Sequence, residues 1–142
     1  MKSLIKFLIF FVFIVSCGKK TTEPEEPEEG NVYLIDIHHG AISLGPQSYW
    51  YVKFRVLEND SLYFEALVYS GNDISYAFWC DSINFEKWKN NENPQLRDYQ
   101  SAILNYSIRR KLSAGVYYIV LGNSAIFSSK IYWARGYLRG IR

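Results

Sequence analysis

The side chains of this 142-residue chain that could do chemistry are few and scattered. Asp36, His38 and His39 stand close together. In an extended strand, residues two apart share a face, so Asp36 and His38 are expected on one side and His39 on the other. Zinc needs three or four ligands, and the chain has no further histidine, so the pair reads as a polar strand end; no metal and no cofactor are expected. Asp81, Glu86 and Asp98 are the carboxylates that could be arranged as a glycosidase pair, a chemistry decided by their separation. In polar loops such groups are usually solvated. Serines abound, but there is no Gly-x-Ser-x-Gly turn, and nothing sets a serine against a histidine. No catalytic residue is assigned, and the chain is not expected to be an enzyme. Cys80 shares strand parity with Tyr76 and Phe78 and reads as a buried, inert thiol.

Aromatic residues are the one surplus. They make up 18% of the chain, including twelve Tyr and four Trp. Tyr49, Tyr51, Tyr63, Tyr69, Trp79 and Tyr118 fall on faces that alternation assigns outward. An open row of such rings would stack sugars or grip a protein partner. The competing reading is that both sheets bury more than alternation suggests, with tyrosines forming cross-strand pairs. Trp88, on a short helical segment, reads as a plug over one end of the fold. Arg109, Arg110 and Lys111, with Arg135, Arg139 and Arg142, could meet acidic polymers or lipid headgroups, although such groups are more often solvated.

The elements that must position these residues are mainly strands. Residues 48–57 alternate cleanly, with Trp50, Val52, Phe54 and Val56 on one face and Tyr49, Tyr51, Lys53 and Arg55 on the other. Turn chemistry follows at 58–61, and Leu62, Phe64, Ala66 and Val68 complete a hairpin. Ile74, Tyr76, Phe78 and Cys80 alternate in the next strand. Phe85 and Trp88 at i, i+3 predict a helical turn over 84–90, capped by Asn84 or Asp81. A polar loop over 90–98 leads to alternation over 100–108, with Ala102, Leu104, Tyr106 and Ile108 together. Residues 116–121 are continuously apolar after Gly115, the mark of a strand covered on both sides. Strands at 32–37, with 41–44 continuing it, and at 131–138 complete the set. The prediction is an all-β domain over 31–142, an antiparallel jelly-roll-type β-sandwich of seven to eight strands with one short helical turn. Five Lys and seven Arg against nine acidic residues leave this domain mildly basic, too little to argue for nucleic acid as a partner.

Residues 1–16 differ in kind. Lys2 and Lys6 flank the start of an unbroken apolar run over 7–15, too short for a membrane-spanning helix and of the order expected in a secretory signal peptide. The Ser16–Cys17 junction resembles the lipobox of bacterial lipoproteins. That resemblance implies cleavage between Ser16 and Cys17, and acylation of Cys17 with a diacylglyceryl group and often a further chain such as palmitate. Two or more chains hold a membrane stably where one does not. The implied address is the extracytoplasmic side of a bacterial envelope. Gly18 in place of an acidic residue points to the outer membrane if the cell has one. With Cys17 lipidated, Cys80 has no disulfide partner. Residues 17–30 carry five glutamates, two prolines and no large apolar side chain, so they are expected to form a disordered tether reaching roughly 40 Å.

The stretch 112–123, LSAGVYYIVLGN, resembles the Leu-x-Ala-Gly-x-Tyr-Tyr-hydrophobic-Asn strand of small extracytoplasmic β-sandwiches. These include bacterial pre-peptidase C-terminal domains and GOLD-like jelly rolls. The order upstream is similar: a segment ending Gly45-Pro46-Gln47-Ser48-Tyr49, an alternating hairpin, then Ile83-Asn84-Phe85-Glu86-Lys87-Trp88. The resemblance implies a non-catalytic accessory or interaction module, some relatives of which bind matrix polymers or calcium. Gly122 departs from the acidic residue often found there, and no acidic cluster matches a calcium site, so neither metal nor ligand residues carry over. The expected function is that of a membrane-anchored envelope lipoprotein with an interaction or structural module, bound to membrane lipid through Cys17 and to an envelope protein or glycan. The alternative is a carbohydrate-binding surface module using exposed Trp and Tyr.

Overall fold

A computed structural model describes residues 31–141; the leader 1–16, Cys17 and the tether 17–30 lie outside the described residues. Eight strands and one helix follow in order: β1 (Val32–Leu44), β2 (Ser48–Val56), β3 (Ser61–Ser70), β4 (Ile74–Asp81), α1 (Ser82–Lys89), β5 (Arg97–Ile103), β6 (Asn105–Lys111), β7 (Gly115–Asn123) and β8 (Lys130–Ile141). They form two four-stranded sheets, β1-β8-β3-β6 and β2-β7-β4-β5, and every pairing is antiparallel. The pairs β1–β8, β2–β7, β3–β6 and β4–β5 nest inside one another, as if one long hairpin had been rolled up. That is a jelly-roll sandwich.

The alternation in β2 and β3 does what period two dictates. Phe54, Val56, Leu62, Phe64 and Ala66 are buried between the sheets, and Tyr49, Tyr51, Lys53 and Arg55 face outward. Each such buried aliphatic or aromatic side chain contributes about 1.5–3 kcal/mol relative to exposure. β7, in the interior of its sheet, sends Ile119 and Leu121 into this core and Tyr118 and Val120 to the other face. That second face carries its own small core, because α1 lies over it.

Local chemistry sets the joints. Asp81 caps α1, its carboxylate accepting from the Asn84 backbone N–H at 2.9 Å, and the helix runs two turns rather than one. Buried Asp60 accepts from the Leu57 N–H at 3.0 Å, while its own carbonyl accepts from the Leu112 N–H at 3.0 Å, tying two turns together. Asn123 accepts from the Ala125 N–H at 3.0 Å and donates to the carbonyls of Gly45 and Ser128 at 2.9 and 2.8 Å, so one buried amide orders two loops. A buried Lys130 ammonium pairs with Asp73 and donates to Ser75 Oγ at 2.9 Å.

The structure corrects three expectations. Residues 100–108 are not one strand: β5 belongs to one sheet and β6 to the other, and the chain crosses at Leu104. Ala102 and Leu104 are consequently exposed while Tyr106 and Ile108 are buried, because changing sheets resets which side faces the core. In β4 the main core receives Ala77 and Trp79, and Tyr76, Phe78 and Cys80 lie on the opposite face beneath α1. In β1 a register irregularity between Asp36 and His38 sends both Ile37 and His38 coreward, so Asp36 and His38 do not share a face.

Candidate functional site

Of the six aromatics assigned outward by alternation, the outer face of β2-β7-β4-β5 brings three near α1: Tyr49, Tyr51 and Tyr118. Tyr118 is only 8% exposed, because Phe85 of α1 stacks flat on it with centroids 4.0 Å apart. Trp79 is only 4% exposed and sits in the main core. Neither is a surface aromatic: the helix covers one, and β4 turns the other inward. Tyr63 is half-buried and stacks on Tyr137 across the β3–β8 pair at 5.0 Å, the cross-strand arrangement. Tyr69 is 79% exposed at the end of β3, in the other sheet. Tyr49 and Tyr51 remain open at 43% and 48%, with rings 6.3 Å apart along the edge strand β2.

These two rings continue into a covered cluster. Tyr49 meets Trp88 edge to face at 4.8 Å, Trp88 meets Phe78 at 5.1 Å, and Tyr51 meets Phe85 at 5.0 Å. Trp88 therefore rests on the outer face of the sheet and does not plug an end. Gly122 lies between Tyr49 and Tyr76 in register. A Cβ there would fall inside the Tyr76 ring, which gives Gly122 a packing reason for being glycine. Burial, with Tyr49 and Tyr99 nearby, raises the Tyr76 hydroxyl above the ordinary tyrosine pKa.

A second candidate is polar. Where β5 and β6 diverge, a cleft of about 660 Å³ opens, lined among others by Trp79, Arg97, Asp98, Lys111, Ser113 and Tyr117. Trp79 Nε1 donates to Asp98 Oδ2 at 2.8 Å, and Arg110 grips the same carboxylate at 3.1 and 3.3 Å. These hydrogen bonds, from Arg110 first and Trp79 second, hold the Asp98 pKa below the usual carboxylate range. A glycosidase acid requires the opposite shift. The Arg97 guanidinium stands 5.4 Å over the Trp79 ring. The Tyr117 hydroxyl donates to the Ser113 carbonyl at 3.0 Å and lies 3.2 Å from Ser113 Oγ. Arg97, Asp98, Arg110 and Lys111 converge here from two sheets. Sequence reasoning singled out Asp81 and Asp98 as carboxylates, Trp79 as an outward aromatic and the run at 109–111 as cations, but did not join them, and nothing local in the chain pointed to Arg97.

The remaining candidates do not converge. His38 sits edge-on to Trp50 at 4.8 Å with Nε2 3.3 Å from the Gly40 carbonyl, and exposed His39 lies edge-on to Trp133 at 5.5 Å. Glu86 pairs with Lys89 on the exposed side of α1 at 2.9 Å. Among the described residues no group of three or more His, Cys, Asp or Glu is placed to hold a metal ion. Cys80 is buried, and desolvation, with Asp81 adding, pushes its thiol up to about 12. Ser16 and Cys17 lie outside the described residues. A comparison with protein-family models gives no match, and a comparison with curated proteins gives none either.

Proposed function

We propose that this chain is a lipid-anchored lipoprotein of a bacterial cell envelope, whose β-sandwich is a non-catalytic interaction module carried on the tether 17–30. The leader, the Ser16–Cys17 junction and the resemblance of 112–123 to extracytoplasmic sandwich domains support this address and this role. The observation that carries the module reading is the pair Tyr49 and Tyr51. They are large, half-exposed rings seated on a rigid aromatic bed on an edge strand, which is the form of a preorganised contact surface. Fractionation of cells producing the full chain tests the anchor. The chain partitions with membranes and carries acyl mass at Cys17, whereas Cys17→Ser is released; unchanged partitioning of Cys17→Ser contradicts the reading.

A second reading, carbohydrate binding at the same face, is favoured by the 6.3 Å spacing and 34° tilt of the Tyr49 and Tyr51 rings, which resemble a short stacking strip for a sugar chain. On this reading a glycan array retains the full chain and Tyr51→Ala loses the retained glycan. Retention of no glycan leaves the envelope-protein partner as the occupant.

A further inference from the structure

We infer that the cleft between the diverging ends of β5 and β6 binds an acidic saccharide, with Arg97 and Lys111 meeting its carboxylates and the hydroxyls of Ser113 and Tyr117 meeting its own. This site lies apart from Tyr49 and Tyr51 and stands or falls independently of them. The cleft, at about 660 Å³, is within the range of ligand clefts, roughly 300–1,000 Å³. Its cations outnumber its carboxylates, with Arg97, Arg110 and Lys111 set against Asp81 and Asp98. Among the described residues the close ion pairs engage Lys89, Arg110, Lys130 and Arg135; Arg97 stands near Asp98 without a close pair to it, and Lys111 is in none of them.

The floor beneath Arg97 is rigid. Arg97 lies over Trp79, the Trp79 indole is held by Asp98, and Asp98 is held in turn by Arg110. Asp98 keeps a φ of 48°, a left-handed backbone that these side-chain bonds help to hold. A guanidinium so placed loses little freedom on gripping a carboxylate.

The mixture of groups selects the ligand class. A lipid surface asks for a flat cationic face, whereas this recessed lining mixes Arg97, Arg110 and Lys111 with the carboxylates of Asp81 and Asp98. A hydroxylated polymer bearing carboxylates uses both signs: cations for its acids, and hydroxyls and carboxylates for its hydroxyl groups. A second cleft, of about 400 Å³ on the β1–β2 side, also carries Lys53, Arg55 and Asp36, but the rest of its lining is apolar (Ile35, Ile37, Phe54, Leu57 and Leu138) and no hydroxyl enters it.

The test uses the full chain carrying Cys17→Ser, so that vesicle binding reports on the domain and the tether's glutamates remain present as competitors. It is titrated with polygalacturonate, with the same polymer fully methyl-esterified, and with phosphatidylcholine vesicles containing phosphatidylglycerol. Polygalacturonate is expected to bind, and esterification to weaken it at least about tenfold. Arg97→Ala and Lys111→Ala should each weaken binding by about tenfold, as for loss of one charged hydrogen bond. Arg135→Ala, which removes a positive charge from the outer face of the other sheet, should leave affinity unchanged. Equal binding of the esterified polymer, an equal loss in Arg135→Ala, or no binding of either polymer overturns the proposal. So does vesicle binding that Arg97→Ala abolishes while polygalacturonate is not held. If Tyr51→Ala abolishes polymer binding and Arg97→Ala does not, this site is wrong and the aromatic-face reading stands.

Discussion

Asp98 joins Trp79 and Arg110, which the sequence places 19 residues before it and 12 after it. It accepts from Trp79 and Arg110 and lies beside Arg97, so its ionised form is favoured in the folded state. A carboxylate whose folded pKa is depressed stabilises the fold above its unfolded pKa of about 3.9 and loses that contribution as pH falls through the folded value. Asp98→Asn is therefore expected to lower the thermal midpoint by about 4 °C at pH 7. The gap to wild type should begin to close below about pH 4 and vanish once Asp98 itself is protonated. Melting curves from pH 7 to pH 2 check this, and a gap that widens toward acid would refute it. The individual tyrosines divide by the same logic of surroundings. Tyr49 and Tyr51 stay open because they sit on an edge strand, and Tyr118 is roofed by Phe85 of α1, an element separated from β7 in the chain by β5 and β6.

At the scale of elements, α1 is what converts one sheet face from surface to core. The helix is short and only weakly amphipathic, so its place depends on Phe85 and Trp88 packing against Tyr118 and Phe78, and on the Asp81 cap. Phe85→Ala is expected to cost about 3 kcal/mol in denaturant unfolding. It should also expose Cys80, whose burial beneath the helix explains its raised pKa. In a Cys17→Ser background, thiol labelling at neutral pH should be negligible until Phe85 is truncated; identical labelling rates would show that the helix is not the cover. The unbroken run Ala77-Phe78-Trp79-Cys80 carried this information, since a strand apolar on both parities is covered on both faces, as in β7. Reading it as simple alternation misassigned Trp79. The break at Leu104 had no comparable signal, because a strand that changes sheets keeps its propensities and alters only its partners.

The whole molecule is held by pairings between distant parts of the chain. β8 lies between β1 and β3, and β7 between β2 and β4, so neither sheet exists until late segments arrive. Such topology folds slowly, in milliseconds to seconds, and cooperatively. A chain ending at residue 129 is expected to lose the near-ultraviolet dichroism of its packed aromatics entirely, since β1 then has no partner strand and β3 retains only β6. Retention of that signal, or separate transitions by near- and far-ultraviolet dichroism in the intact chain, would contradict a single cooperative unit.

Periodicity and turn chemistry alone were sufficient for an all-β sandwich, for most strand positions, for the inward faces of β2, β3 and β7, and for a helical turn near 84–90, with Asp81 chosen over Asn84 as its cap only by the structure. These are local properties: each depends on a residue and neighbours within a few positions. Which aromatics are open, where the two sheets part, and that Arg97, Asp98, Arg110 and Trp79 meet at one cleft were decided only in three dimensions. The reason is that these properties depend on what lies across a sheet or above it, and the covering element can come from anywhere in the chain.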